Sequence, residues 1–173
     1  MKWIVIVIGS LLGLVALAAI VGATLPKRHV AKRAAIIDKS PEELWATIVD
    51  FAAAASWRSD LEKIEMLPPR DGHIVFRETT RQGPITFEVA EQVAPQRLLV
   101  RVADPDAPFS GTWTYDLQPE GTGTRVTITE QGEVGNPIFR LMSKVFFDPH
   151  ASMERYLSAL ARRHGQEVSL LPG

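Results

Sequence analysis

The sequence predicts an α+β protein, and three observations point to this class. A helix-start motif occupies residues 40–43, short strand-like segments follow from 61 to 133, and an amphipathic stretch begins at residue 136. An apolar run at the N-terminus stands apart from this pattern. We therefore predict two parts, a transmembrane anchor over residues 1–26 and one soluble domain over residues 27–173.

The apolar N-terminal run extends from Trp3 to Leu25 and contains no charged residue. At about 1.5 Å per helical residue, it is long enough to cross a hydrocarbon core of about 30 Å. A cleaved signal peptide is the alternative, with Val21-Gly22-Ala23 as a poor cleavage site. The length of the run favours a permanent single-pass anchor.

A cluster of basic residues follows this run, formed by Lys27, Arg28, Lys32 and Arg33. Only Lys2 and the terminal amine precede it, so the positive-inside tendency favours a cytoplasmic domain, with the exported side as the alternative. The four cations are candidate membrane-surface residues because they would lie near anionic headgroups. The other interpretation is that they only set the topology.

Composition excludes several classes of function. The net charge is -1, so the sequence lacks the excess of basic residues that is typical of a general nucleic-acid binder. The absence of cysteine excludes disulfides and thiolate metal sites. The four histidines are scattered without metal-ligand spacing, and no serine lies in a nucleophile-elbow pattern. We expect neither a metal nor a cofactor.

The first elements of the domain follow from local signals. A strand is predicted over 28–37, which ends in the apolar run 34–37. Ser40 can cap a helix by accepting from the amide of Glu43, whose side chain reaches back, and Pro41 suits the first helical position. The alanine run 52–55 permits a second short helix.

Turn residues then divide the chain into consecutive segments rich in β-forming residues, which indicates antiparallel strands. The predicted strands are 61–67, 73–80, 85–93, 97–103, 110–118 and 124–133.

The last element begins at Asn136-Pro137 and ends near Arg162-Arg163-His164. Apolar residues recur along it at steps of three and four, which predicts one continuous face. They are Phe139, Met142, Phe146, Pro149, Met153, Tyr156 and Leu160. The face keeps its phase across Pro149, which favours one bent helix. The alternative makes Asp148 a new cap and Pro149 the start of a second helix.

Three predicted inward strand faces each contain one glutamate, namely Glu78, Glu91 and Glu130. A buried carboxylate is costly unless it is hydrogen-bonded, paired or near water, so these faces suggest a cavity that holds water or ligand. The alternative is that the glutamates reach solvent or pair with arginines.

The order of these elements resembles the polyketide cyclase/dehydrase and lipid-transport family, within the START and birch-pollen-allergen-like superfamily, also called SRPBCC. The resemblance rests on "SPEELWATIVDFAAAASWRSDL", on "GTWTYDLQPEGTGTRVTITEQGE" and on the long C-terminal helix. It covers about residues 28 to 166, and the added N-terminal membrane helix departs from the family's usual soluble form.

The resemblance implies a helix-grip fold, in which a curved antiparallel sheet of six to seven strands wraps around the C-terminal helix and two short helices close one end. Relatives hold lipids, sterols, quinones, polyketides or plant hormones between sheet and helix. The corresponding pocket wall would comprise Phe76, Glu78, Phe87, Glu91, Trp113, Tyr115, Ile128, Glu130, Met142, Phe146, Met153 and Tyr156.

The leading hypothesis is a membrane-anchored binding or transport protein whose partners are a hydrophobic small molecule and the lipid bilayer, not nucleic acid. Tethering would raise the concentration of the domain where such a ligand partitions. A cyclase or dehydratase is the second hypothesis, with Glu130, Glu78 or Glu91 as general base and Tyr115 or Tyr156 orienting a carbonyl. A membrane-associated assembly or chaperone-like module is the third.

Overall fold

The computed structural model describes residues 2–105, 107–146 and 148–173. Helix α1 (Lys2–Thr24) precedes strand β1 (Arg28–Ile37), and helix α2 (Pro41–Val49) and a 3₁₀ helix (Phe51–Ser56) then lead to the next six strands. These are β2 (Lys63–Arg70), β3 (His73–Thr80), β4 (Gly83–Val93), β5 (Arg97–Val102), β6 (Ser110–Glu120) and β7 (Gly123–Glu133). Helices α3 (Pro137–Phe146) and α4 (Pro149–Arg163) and the short strand β8 (Leu171–Pro172) complete the order.

The strands form one antiparallel sheet in the order β2-β3-β4-β5-β6-β7-β1-β8, and α4 packs against β1 and β7. This confirms the predicted α+β helix-grip fold. The sheet has eight strands in the described part of the chain, rather than six or seven, because β8 adds two residues beside Arg33 and Ala34. The face of the sheet that α4 covers is called the inner face below.

The capping box at the start of α2 is present as predicted. The Glu43 amide donates to the Ser40 hydroxyl at 3.3 Å, and the Glu43 carboxylate accepts from the Ser40 amide at 3.2 Å. The alanine run forms the 3₁₀ helix, which Asp50 caps by accepting from the Ala53 amide. These two helices lie over one end of the sheet and contribute Leu44, Trp45, Ile48, Phe51 and Ala54 to the buried residues.

The prediction of one bent C-terminal helix is wrong, and the alternative with a second start is confirmed. Asp148 caps α4 by accepting from the His150 amide at 2.9 Å, and Pro149 occupies the first turn. Proline suits the first turn of a helix because the backbone N–H groups there have no intrahelical acceptor, so the N–H that proline lacks is not needed. On α4, Met153, Leu157 and Leu160 are fully buried against the sheet.

Helix α1 is long and apolar enough to cross a membrane by length and composition, which a signal sequence near the N-terminus also satisfies. Helix α3 packs against α1, not against the sheet core. The contact lies at Ala18, Ala19 and Gly22, which are sheltered on α1 while the residues around them are exposed.

Candidate functional site

The inner face carries apolar and aromatic side chains, and among the described residues two of the three glutamates predicted for it, Glu78 and Glu130, lie on it. Cross-strand register brings Val100 beside Trp113, Trp113 beside Glu130, and Tyr115 beside Ile128. From α4, Tyr156 meets this face with its ring 5.1 Å from that of Tyr115. The space between the inner face and α4 is therefore the candidate site.

A buried ion pair lies at one end of this space. Arg58 follows Trp57, the C-cap of the 3₁₀ helix. Its guanidinium donates to both oxygens of Glu78, at 2.6 and 3.2 Å, and to Asp60 at 2.8 Å. The side chains of Arg58 and Glu78 are only 11% and 14% exposed. The guanidinium carbon also lies 5.1 Å from the centre of the Tyr156 ring, which is cation-π distance.

The titration behaviour of this cluster follows from its burial. Burial lowers the pKa of the Arg58 guanidinium, but Glu78 and Asp60 outweigh this and hold that pKa above its usual value. Burial raises the pKa of the Tyr115 hydroxyl and that of the Tyr156 hydroxyl. At neutral pH the cluster therefore contains a fixed cation and two protonated hydroxyls.

The aromatic rings leave little free volume beside this cluster. The rings of Trp57 and Tyr156 meet edge to face at 5.4 Å, and Trp113 approaches Tyr156 at 6.4 Å. The remaining cavity is about 20 Å³. It is lined by Ile48, Phe51, Ala54, Trp57, Arg58, Phe76, Glu78, Leu98, Val100, Tyr115 and Tyr156. Ligand sites usually measure about 300–1,000 Å³, so the predicted ligand-sized pocket is filled by side chains in this conformation.

A second polar group lies toward the ends of β1 and β7. The Trp113 indole N–H donates to one oxygen of Glu130 at 2.8 Å, and the other oxygen lies 2.9 Å from Nε2 of His29. A side-chain carbon on Gly132, opposite His29, would lie within 2.2 Å of the imidazole, so glycine leaves room for that ring. Both oxygens of the candidate base Glu130 are thus engaged.

The expectation that Glu91 faces inward is wrong. A β-bulge between Val89 and Glu91 shifts the register, so that Glu91 stands opposite Leu99 and is exposed. A one-residue shift moves a side chain to the other face of the sheet. There Glu91 accepts from Arg97 at 3.4 Å.

Met142 and Phe146 are also misplaced by the pocket prediction. They lie on α3, where they are 46% and 73% exposed, instead of on the helix that covers the sheet. The periodicity placed them on one face with Met153 and Tyr156, but the new helix start at Asp148 separates the two groups.

The other predicted wall residues lie on the inner face or on α4. Phe76 stacks between Phe51 and Phe87, at 4.5 and 5.6 Å, and Ile128 and Met153 are fully buried. Arg58 is not among the predicted wall residues. Its place beside Trp57 after the alanine run indicated only that these two residues could cap the mouth of a pocket.

A larger, open groove of about 610 Å³ lies around Glu88 and Arg101, on the face of the sheet away from α4. Arg101 donates to the buried Glu88 at 2.6 Å. This groove is separate from the aromatic and ionic cluster.

Of the predicted membrane-surface cations, Lys27 and Arg28 come just after α1, and Lys32 and Arg33 lie further along β1. Lys27 and Lys32 are exposed. Arg28 pairs with Glu133 at 2.9 Å and Arg33 pairs with Glu154 at 2.8 Å, so these two also make contacts within the domain. Within the described ranges, no group of three acidic, histidine or cysteine residues is arranged to hold a metal ion.

Comparison with known families gives one match over most of the chain. Residues 28–165 match the family described as polyketide cyclase / dehydrase and lipid transport. No curated protein matches the chain.

Solved structures share the fold at low sequence identity. The di-domain aromatase/cyclase BexL from the BE-7585A biosynthetic pathway has a TM-score of 0.66 and 12% identity over 82% of this chain, which spans only 52% of that protein. The Zhui aromatase/cyclase from Streptomyces sp. R1128 has a TM-score of 0.65 and 12% identity, covering 80% of this chain and 94% of that one. A START superfamily protein from Mycobacterium smegmatis has a TM-score of 0.61 and 18% identity, covering 78% and 96%. At these identities the likeness concerns the fold.

Proposed function

The chain belongs to the polyketide cyclase/dehydrase and lipid transport family, and from that premise we propose that it is a membrane-anchored binding or transport protein for a hydrophobic small molecule. The ligand is a lipid, an isoprenoid or quinone, or a polyketide-like compound with a polar oxygen group. It binds between the inner face and α4, with its oxygen toward Arg58 and the two tyrosine hydroxyls.

The buried Arg58–Glu78 pair is the observation that carries this proposal. A buried ion pair contributes little net stability, since apolar residues of similar volume are often as stable. Its place beside a small cavity, with two buried hydroxyls, favours a role in recognition. An apolar site with a few convergent polar groups is typical of small-molecule binding.

Binding requires the interior to open, because the cavity of about 20 Å³ has room for little more than one water. Trp57 is the aromatic side chain best placed to move. It caps the 3₁₀ helix and is only partly buried, whereas Tyr115 and Tyr156 are buried on the sheet and on α4. An outward swing of the Trp57 ring joins the cavity to the surface.

Permanent anchoring through α1 is supported by Arg140. This arginine is 4% exposed and donates to the carbonyls of Gly22 and Leu25 at the end of α1, both at 3.1 Å. Cleavage after Ala23 would take away the Gly22 carbonyl and leave the buried Arg140 guanidinium without one of its acceptors, which costs free energy. The basic cluster from Lys27 onward favours a cytoplasmic domain.

Chemical analysis of the purified protein tests the binding function. The full chain is extracted from membranes, exchanged through a second detergent and treated with organic solvent, and the extract is compared by mass spectrometry with that of a membrane protein of unrelated fold. Enrichment of one hydrophobic compound class is expected. Equal extracts from both proteins would contradict the proposal.

A cyclase-type enzyme is the second candidate, and the two buried, protonated tyrosines beside Glu78 favour it because they can donate to a substrate carbonyl. The same extraction separates the candidates. If the protein is an enzyme, Tyr156→Phe should carry a different compound from the wild type, the unconverted substrate. If it is a binder, the variant should carry the same compound in a smaller amount.

A further inference from the structure

Helix α3 leaves most of its apolar side chains uncovered by protein. Phe139, Met142, Val145 and Phe146 are all exposed, and the last two are 64% and 73% exposed. They occupy neighbouring turns of a helix whose single exposed charge is Lys144. A contiguous apolar surface of this kind marks an interaction site in a folded protein.

The contact between α3 and α1 has the character of packing between membrane helices. It is formed on α1 by Ala18, Ala19 and Gly22, and Ala18 and Gly22 are four residues apart. A side-chain carbon on Gly22 would lie 1.9 Å from the carbonyl oxygen of Pro137, so only glycine permits this approach. Small residues at this spacing let helix backbones pack closely in lipid.

Arg140 fixes the two helices to each other through backbone carbonyls, and no carboxylate of the described residues pairs with it. Besides the carbonyls of Gly22 and Leu25, its guanidinium donates to those of Val134 and Gly135, at 3.0 and 2.8 Å. The four acceptors come from the end of α1 and from the segment before α3. A cation at the C-terminal end of a helix is favourable because the terminal carbonyls are otherwise unpaired. Helix α3 is therefore held where α1 leaves its apolar run.

We propose that α3 is a lipid-facing helix, which lies beside α1 with Phe139, Met142, Val145 and Phe146 against the acyl chains of the bilayer. This rests on the proposed function in one respect, the membrane position of α1. The apolar surface of α3 then continues that of α1, and Lys144 extends along the helix to bring its ammonium group to the headgroups. At about 1.5 Å per residue, α3 is about 15 Å long.

This placement brings one end of the site to the membrane. Helix α3 follows β7, and α1 leads directly into β1, so the adjoining ends of these strands lie next to the bilayer. The Glu130, His29 and Trp113 group lies at that end of the inner face. In this placement the group is the part of the inner face nearest the bilayer.

Single-cysteine fluorescence quenching tests the proposal in the full chain, which has no native cysteine. An environment-sensitive label is placed at Val145→Cys or Phe146→Cys on α3, at Leu12→Cys on α1, or at Met66→Cys. Met66 is the matched control because it is a 48% exposed apolar residue on the far edge strand β2. The protein is reconstituted in phosphatidylcholine and phosphatidylglycerol vesicles, and quenching by brominated lipid is compared with quenching by aqueous iodide.

We expect brominated lipid to quench the α3 labels about as strongly as the Leu12 label, and iodide to quench only the Met66 label. Lipid quenching at Leu12 without quenching at α3 would overturn this inference and leave the anchor intact. No lipid quenching at either helix would overturn both. An α3 label that neither quencher reaches would assign its apolar face to a protein contact, such as a second copy of the chain, and would also overturn the inference.

Discussion

The two C-terminal helices carry apolar residues at the same spacing, yet they bury them in different ways. Helix α4 places Met153, Leu157 and Leu160 against the sheet, where they are fully buried. Helix α3 packs on α1 through small residues and leaves Phe146 exposed. The spacing of apolar residues reveals that a helix has an apolar face, but not whether protein or lipid covers it.

The region between α4 and the sheet and the region between α1 and α3 each contain a buried arginine. The two arginines differ in their partners. Under α4, Arg58 pairs with the carboxylates of Glu78 and Asp60. Between α1 and α3, Arg140 binds backbone carbonyls. Removing Arg58 would leave a buried anion, whereas removing Arg140 would leave neutral acceptors. We therefore expect the first region to control the stability of the domain and the second to control how the domain is held at the membrane.

The largest expected effect is that of Arg58→Met. It leaves Glu78 buried without its partner, and breaking such a pair costs about 3–5 kcal/mol. Urea unfolding of the full chain in detergent, followed by near-ultraviolet circular dichroism, measures this loss. The double variant Arg58→Met/Glu78→Leu should be milder because no charge stays unpaired. A double variant less stable than Arg58→Met would contradict this account of the pair.

Truncating one apolar side chain on each helix sharpens the contrast between α4 and α3. Leu157→Ala should lower the free energy of unfolding by about 2–5 kcal/mol, since it opens a cavity in a close-packed core. Phe146→Ala removes an exposed ring and should change it by about 0.5 kcal/mol or less. The same unfolding measurement compares them. Equal losses would mean that protein covers both faces.

Arg140→Met should loosen α3 without unfolding the sheet. The variant removes the side-chain hydrogen bonds that join the segment before α3 to the end of α1. Amide hydrogen exchange, read by peptide mass spectrometry, should accelerate in α3 and stay unchanged in α4. Uniform acceleration across both helices would show that Arg140 supports the core itself.

The smallest expected effect concerns pH and His164, which caps the C-terminal end of α4 and contacts the Thr47 hydroxyl at 3.1 Å. Burial, and then the nearby Lys39, lower the pKa of His164 below its ordinary 6.5. The unfolded chain then binds a proton at His164 more readily than the folded chain does. The neutral imidazole of the folded chain therefore contributes stability that is present above pH 6.5 and is lost as the pH falls through the folded-state pKa.

The melting temperature of the wild type should accordingly fall on acidification below about pH 6.5, and His164→Gln should reduce that slope. Circular dichroism melts between pH 5 and 8 measure the difference. If the melting temperatures of the wild type and of His164→Gln fall equally with pH, His164 is not the cause of the fall.

Most of the fold could be predicted from the sequence because its signals are local. The capping box at Ser40 to Glu43 and the turn residues between strands act within a few residues, and β1 and β3 were placed with their observed bounds. The β8 strand is too short to leave a pattern, since it forms only through pairing with Arg33 and Ala34.

The site was predicted less well because its contacts join distant residues. Arg58 and Glu78 are twenty positions apart, and only the folded chain brings them together. The bulge before Glu91 depends on the register with β5, which alternation within one strand does not reveal. Tyr115 and Tyr156 lie on the inner face and on α4 as predicted, because each follows the regular period of its own element.

The central claim is that a hydrophobic ligand occupies the space between the inner face and α4. Ala54→Leu tests it most directly, because Ala54 is buried and lines the small cavity, so a larger side chain blocks that space. Ala55→Leu is the matched control, since Ala55 is exposed on the same 3₁₀ helix. Ala54→Val is a milder block in case overpacking by leucine prevents folding.

The measurement is the amount of extracted hydrophobic compound per mole of purified full chain. We predict that Ala55→Leu carries as much as the wild type, that Ala54→Val carries less, and that Ala54→Leu carries little or none. Equal amounts in the Ala54 and Ala55 variants would place the ligand elsewhere and contradict the account.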